Sequence, residues 1–182
     1  SNVTGVFTPY HKIAELMHRY NGWCFVDFAC SAPYIDIDMH PEDPLEKLDA
    51  IFFSPHKFLG GPGSTGILIF NRSLYDSHFS PDQPGGGTVK WTNPWGEHSF
   101  YEDVELREDG GTPPFMQTIK AALAVKLKEE IGTKRIAIRE KEITKLVFSR
   151  LKLIPNLHLL AENIEERLPV VSFYIDGMHY NL

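Results

Sequence analysis

An α/β fold is what this sequence predicts, a mostly parallel sheet with flanking helices followed by the start of a small α+β unit. Three observations point there. Short apolar runs at 23–26, 48–53 and Ile67–Phe70 are partly β-branched or aromatic and bounded by turn residues, as buried strands are. One helical pattern precedes the first run, and two longer ones follow residue 114. The chain then returns to strand-like runs at 157–161 and 168–175. The 182 residues are 42% hydrophobic and 23% charged, an ordinary globular balance large enough for a real core.

Each element has a local reason. Pro9 opens the first helix, Ile13, Leu16, Met17 and Tyr20 recur at helical spacing, and Asn21-Gly22 stops it. Trp23-Cys24-Phe25-Val26 is continuously apolar, which predicts a strand buried on both faces and ending at Asp27. Residues 39–47 are a polar connection. Residues 71–114 lack periodicity and read as one long connection, too aromatic for disorder. Met116, Ile119, Leu123 and Leu127 share one face of a helix over 115–130, stopped by Gly132. A second helix spans 133–152 with Ile136, Ile143, Val147 and Leu151 facing inward, and Pro155-Asn156 breaks it. The expected units are 1–140 and 141–182.

Charge and cysteine usage narrow the function. A net charge of -6 argues against nucleic acid or an anionic membrane surface as the main partner. No apolar run approaches membrane-spanning length. The two cysteines, Cys24 and Cys30, fit a reduced, cytoplasmic setting better than a disulfide framework. No histidine pair has metal-ligand spacing, so no metal site is expected, and the histidines outside the lysine stretch read as surface or capping residues.

The chemistry centres on Ser54-Pro55-His56-Lys57, placed between two strands and followed by a glycine-rich loop. Flanking strands are expected to desolvate Lys57 and favour the neutral amine that Schiff-base chemistry needs. Gly61-Pro62-Gly63-Ser64-Thr65-Gly66 imitates a dinucleotide fingerprint, but it runs into a strand rather than a helix, which excludes that reading. Asp27 stands at the carboxyl end of an earlier strand, where open α/β sheets bind ligands. A carboxylate, a lysine with Ser54 and His56 beside it, and a polar loop at Asn2 together match the needs of pyridoxal 5'-phosphate.

At these residues the chain resembles class V aminotransferases, of fold type I among pyridoxal-phosphate enzymes, and in particular their cysteine desulfurase and selenocysteine lyase branch. The pieces that carry the resemblance are Ser1-Asn2-Val3-Thr4-Gly5, Val26-Asp27, Ser54-Pro55-His56-Lys57, Gly85-Gly86-Gly87-Thr88 and Gly111-Thr112-Pro113, in family order. The resemblance implies the later half of the large cofactor domain plus the start of the small domain. It implies Lys57 as Schiff-base lysine and proton carrier, Asp27 on the pyridine nitrogen, and Asn2 near the phenolic oxygen or substrate carboxylate. Ser54 and His56 would bind the phosphate, and Thr88 would reach the phosphate of a neighbouring subunit in a homodimer. Where the desulfurase branch usually has glutamine, this chain has Cys30, a weak hydrogen-bond donor placed near the cofactor.

The expected activity is that of an aminotransferase-like enzyme acting on an amino acid. The alternatives are a cysteine desulfurase or selenocysteine lyase, and a stable piece without cofactor or activity. The abrupt start at Ser1-Asn2 and the stop at His179-Tyr180-Asn181-Leu182 are those expected of a piece of a longer protein. The branch's nucleophilic cysteine and its carboxylate-binding arginine would then follow the last residue.

Overall fold

The computed structural model describes residues 1–82 and 84–179, so three residues of the predicted break at the chain end, Tyr180, Asn181 and Leu182, lie outside the described residues. Strand β1 (Phe25–Asp27) pairs in parallel with β2 (Ala50–Phe53), with Phe25 opposite Ala50 and Asp27 opposite Phe52. A parallel step needs a long crossover, and residues 28–49 supply it through a 3-10 turn at Pro44–Glu46. Strand β3 (Ile67–Phe70) then returns antiparallel to β2, as the strand expected beside the lysine loop. This topology leaves the carboxyl ends of β1 and β2 at one edge of the sheet, and the site is built there.

The core brings α1, the sheet and α3 together. Ala14 of helix α1 (Tyr10–Arg19) packs with Cys24, Phe28, Ala32, Leu48, Ile51, Phe58 and Ala124. Phe28 donates its amide to the Phe52 carbonyl at 2.9 Å, and Tyr10 meets its ring edge-on at 5.0 Å. Burying the large apolar members Phe28, Leu48, Ile51 and Phe58 contributes about 1.5–3 kcal/mol each.

Two expected faces turn out differently. The run 23–26 is not buried on both sides: Trp23 is 65% and Phe25 54% exposed, because β1 is an edge strand with β2 as its one neighbour among the described residues. In α1 the buried residue is Ala14, while Ile13, Leu16, Met17 and Tyr20 are exposed. Helix α3 (Phe115–Ile131) repeats the pattern, burying Ala121 and Ala124 and exposing Met116, Ile119 and Leu123. Small residues let both helices approach closely, so the apolar stripe is not the packed one.

Residues 71–114 are more ordered than their composition predicts. Strands β4 (Val89–Thr92) and β5 (His98–Phe100) form a hairpin with an irregular step between Val89 and Trp91. Asn93 closes its turn, the side-chain oxygen accepting the Trp95 and Glu97 amides at 3.0 Å each. A short helix α2 (Val104–Glu108) follows, capped by Asp103, whose carboxylate accepts the Leu106 amide. After α3, Gly132 separates helix α4 (Thr133–Leu151), which buries none of its residues fully. Asn156 takes a left-handed φ of 61°, and β6 (Leu157–Leu159) pairs antiparallel with β7 (Phe173–Ile175).

One histidine read as a surface residue is not one. The His18 side chain is 10% exposed, with Nε2 2.8 Å from Asp49 Oδ2 and Nδ1 2.6 Å from the Leu45 carbonyl. Both ring nitrogens face acceptors, so the imidazolium satisfies the site and a neutral ring leaves one acceptor unpaired. The Asp49 hydrogen bond, then the Leu45 carbonyl, raises the His18 pKa. Burial pushes the Asp49 carboxyl up, but the Cys24 amide and His18 outweigh it and hold it below its ordinary value. The pair joins α1 to the start of β2. A raised histidine pKa contributes stability that is fully present below the unfolded value near 6.5 and is lost as pH rises through the folded one. Asp49 contributes above the ordinary aspartate value and loses its share as pH falls. His18→Ala is therefore expected to cost about 1–3 kcal/mol in mildly acidic buffer and to flatten the decline of stability towards alkaline pH. Denaturant melts of both proteins across pH check this; parallel curves would count against the clamp.

Candidate functional site

The lysine stretch takes its shape from its neighbours. Proline suits the first position of a helical turn, and Pro55 opens a 3-10 turn over Pro55–Lys57. The Lys57 amide donates to the Ser54 carbonyl and the Phe58 amide to the Pro55 carbonyl, each at 3.0 Å. Pro55 and Phe58 are buried, and Phe58 stacks on Phe53 with ring centroids 5.9 Å apart. Pinned at both ends, the turn leaves Ser54 half-buried and carries His56 and Lys57 outward, both exposed. Side chains of all three are without hydrogen-bond or ion-pair partners among the described residues. The strands therefore do not desolvate Lys57 as expected, because the turn takes it past the end of β2 into solvent.

Behind the turn the chain closes on itself. The Gly61 amide donates to the Phe58 carbonyl at 2.9 Å. A Cβ at Gly61 would lie 1.8 Å from the Pro55 carbonyl oxygen, so only glycine permits this closure. The loop then meets α3, where the Thr65 amide donates to the Gln117 carbonyl at 3.4 Å and Lys128 Nζ sits 5.8 Å from the Phe58 ring centre. Strand β3 follows the glycines, which agrees with rejecting the dinucleotide fingerprint.

Asp27 ends β1 beside this turn. Neighbouring strands lie about 4.8 Å apart, and Asp27 is opposite Phe52, two residues before Ser54. One carboxylate oxygen accepts the Ala29 amide at 2.7 Å, and the other has no partner among the described residues. The exposed carboxylate opens on a cavity of about 240 Å³, lined also by Cys30, Ser31, Ser1, Phe7 and Leu168. Asn2 is exposed in the loop whose first residue forms part of that wall.

Thr88 is held apart from that cavity. It is fully buried, its hydroxyl donating to the Gly85 carbonyl at 2.7 Å and accepting the Gly85 amide at 3.2 Å. The glycine motifs do meet each other, since the Gly111 amide donates to the Gly86 carbonyl at 2.7 Å.

Chemically, the shared edge offers an amine, an imidazole, a hydroxyl and a carboxylate with unused hydrogen-bonding capacity. Such a set suits a ligand with an electrophilic carbon, a cationic nitrogen and an anionic group. Cys24 does not match a thiolate nucleophile: it is buried, and burial followed by the charge of Asp49 raises its pKa. No cluster of metal-ligating side chains exists among the described residues, and no described helix is long and apolar enough to cross a membrane. No motif singles out Arg167, whose guanidinium donates to the Thr4, Ala161 and Val170 carbonyls. Asp49 had a readable signal, since an acid opening an apolar strand points to a buried partner.

The family model of class V aminotransferases matches residues 1–182. The cysteine desulfurase of Haloferax volcanii is 29% identical over 181 residues, covering 98% of this chain and 40% of that protein. A probable cysteine desulfurase of Halobacterium salinarum is 30% identical, covering 98% of this chain and 41% of its own length. The apo structure of cysteine desulfurase from Thermococcus onnurineus NA1 superimposes with a TM-score of 0.81 at 26% identity, over 100% of this chain and 44% of that one. The α/β fold is thus that of the cysteine desulfurases, and the chain spans about 40% of the length of the curated relatives it matches.

Proposed function

The chain belongs to the class V aminotransferase family, and from that premise we propose that it is the cofactor-binding part of a pyridoxal-phosphate enzyme that removes sulfur from cysteine or a close analogue. The observation that carries this reading is the free carboxylate oxygen of Asp27 at the end of β1 and the free amine of Lys57 on the turn that follows its parallel neighbour β2. The residues fit the cofactor. Asp27 would hold a proton on the pyridine nitrogen, Lys57 Nζ would anchor the aldehyde carbon, and Ser54 with His56 would donate to the phosphate. When bound, the cofactor supplies an electron sink for charge developing at a substrate α-carbon. Lys57, exposed on a fixed turn, would take up and return the proton at that carbon. Cys30 at the cavity wall would give only a weak hydrogen bond. Asn2 and Thr88 complete the proposed set, Thr88 from across a homodimer contact once its hydroxyl turns from the Gly85 carbonyl that it meets in the single chain.

The relatives' activity supports desulfuration over the generic amino-group transfer that the sequence put first. The cytoplasm is the proposed location, consistent with free Cys24 and Cys30. The proposed units remain 1–140 for the large domain and 141–182 for the start of the small one.

The products test the reaction. With pyridoxal phosphate, L-cysteine and excess dithiothreitol, which reduces the released sulfur, the full-length enzyme of which this chain would be the cofactor-binding part is expected to form alanine and sulfide in equal amounts. Amino-group transfer to a 2-oxo acid without sulfide would favour the aminotransferase reading instead.

A further inference from the structure

The wall of the Asp27 cavity formed by residues 1–8 is not held by the sheet. Its hydrogen bonds run to a segment some 160 residues later. The Leu168 amide donates to the Gly5 carbonyl at 2.9 Å, Val6 bridges Arg167, and the Ser172 hydroxyl donates to the Val3 carbonyl. Gly5, at φ 75°, lets the strands close: a Cβ there would lie 2.7 Å from the Leu168 carbonyl oxygen.

Arg167 ties this clasp together. One Nη donates to the Ala161 carbonyl at 2.8 Å, and the other donates to Val170 at 2.8 Å and to Thr4. The guanidinium carbon stands 4.7 Å from the centre of the Phe148 ring of α4. One planar cation therefore joins α4, the C-terminal segment and the N-terminal loop, a task for which a lysine lacks both the donors and the flat face. Phe7, Ile35 and Leu168 are shared between the Asp27 cavity and a second cavity of about 560 Å³ lined by Arg167. The clasp and the candidate site are two sides of one partition.

We propose that Arg167 is a positioning residue that sets the Ser1–Thr8 wall, and with it Asn2, against the bound cofactor. The proposal rests on the pyridoxal-phosphate reading above. It makes the C-terminal unit a determinant of cofactor binding although it supplies none of the proposed ligands.

The test titrates pyridoxal phosphate into wild type, Arg167→Met, Asn2→Ala and the double variant, reading affinity and the visible band of the bound cofactor. Arg167→Met is expected to weaken binding about tenfold, the scale of one hydrogen bond to a charged group, and to shift the band as Asn2→Ala does. The double variant should be no worse than the weaker single one. Additive losses, or a lower Tm with unchanged affinity and band, would overturn the positioning role and leave the cofactor reading intact. Absence of any band in wild type would sink the cofactor reading, and this proposal with it. If Arg167→Met does not fold, amide exchange on wild type decides: the cofactor should slow exchange at Leu168, and an unchanged rate there refutes the coupling.

Discussion

Replacing Lys57 with alanine is expected to abolish covalent retention of pyridoxal phosphate while leaving the fold in place. The two halves of that result have separate causes. Lys57 is exposed and has no partner among the described residues, so its removal should change stability by no more than about 0.5 kcal/mol. The turn it rides on is fixed by buried Pro55 and Phe58, which the substitution does not touch. The chemistry loses both its covalent anchor and its proton carrier. Loss of a positioned general acid-base group alone lowers rates by roughly 10²–10⁴-fold. Lys57→Arg is the sharper control, because it keeps the charge but offers no nucleophilic amine. Covalent retention by either variant, measured after borohydride reduction, would remove Lys57 from its role.

Asp27→Asn is expected to give the next largest effect. One carboxylate oxygen already serves the turn through the Ala29 amide, and asparagine can keep that bond. What it cannot keep is the negative charge at the cavity. A hydrogen bond to a charged group is worth about 1.5–3 kcal/mol, so cofactor affinity should fall roughly 10- to 100-fold with little change in Tm. Asp27→Ala should bind as weakly and also melt earlier, since it loses the turn. Equal affinity for wild type and Asp27→Asn would mean that this carboxylate does not face the pyridine nitrogen.

Much of this was legible in the sequence, for identifiable reasons. Turn residues bound every apolar run, so β2, β3, α3 and α4 fall close to where periodicity puts them. The Ser54–Lys57 stretch announces itself because a lysine between two strands is unusual. Burial was less legible. Periodicity finds an apolar stripe but not what covers it, and in α1 and α3 the packed residues are alanines beside that stripe. The hairpin β4–β5 escaped because its strands are short and mostly exposed, although Asn93-Pro94-Trp95-Gly96 is a turn signal. Contacts set by distant chain segments left no local trace at all. His18 needs Asp49, 31 residues away, and the loop of Asn2 needs Arg167, whose bond to Thr4 spans 163 residues.

The most direct measurement is the position of the covalent bond itself. The protein is mixed with pyridoxal phosphate, reduced with borohydride, digested and mapped by mass. Three lysines compete around the loop: Lys57 on the turn, Lys120 beside Gly63, and Lys128, whose pKa is lowered by burial and whose Nζ donates to the Ile35 carbonyl at 2.5 Å. A single labelled peptide with the added mass on Lys57 is expected. Label on Lys120 or Lys128, or no label at all, would contradict it.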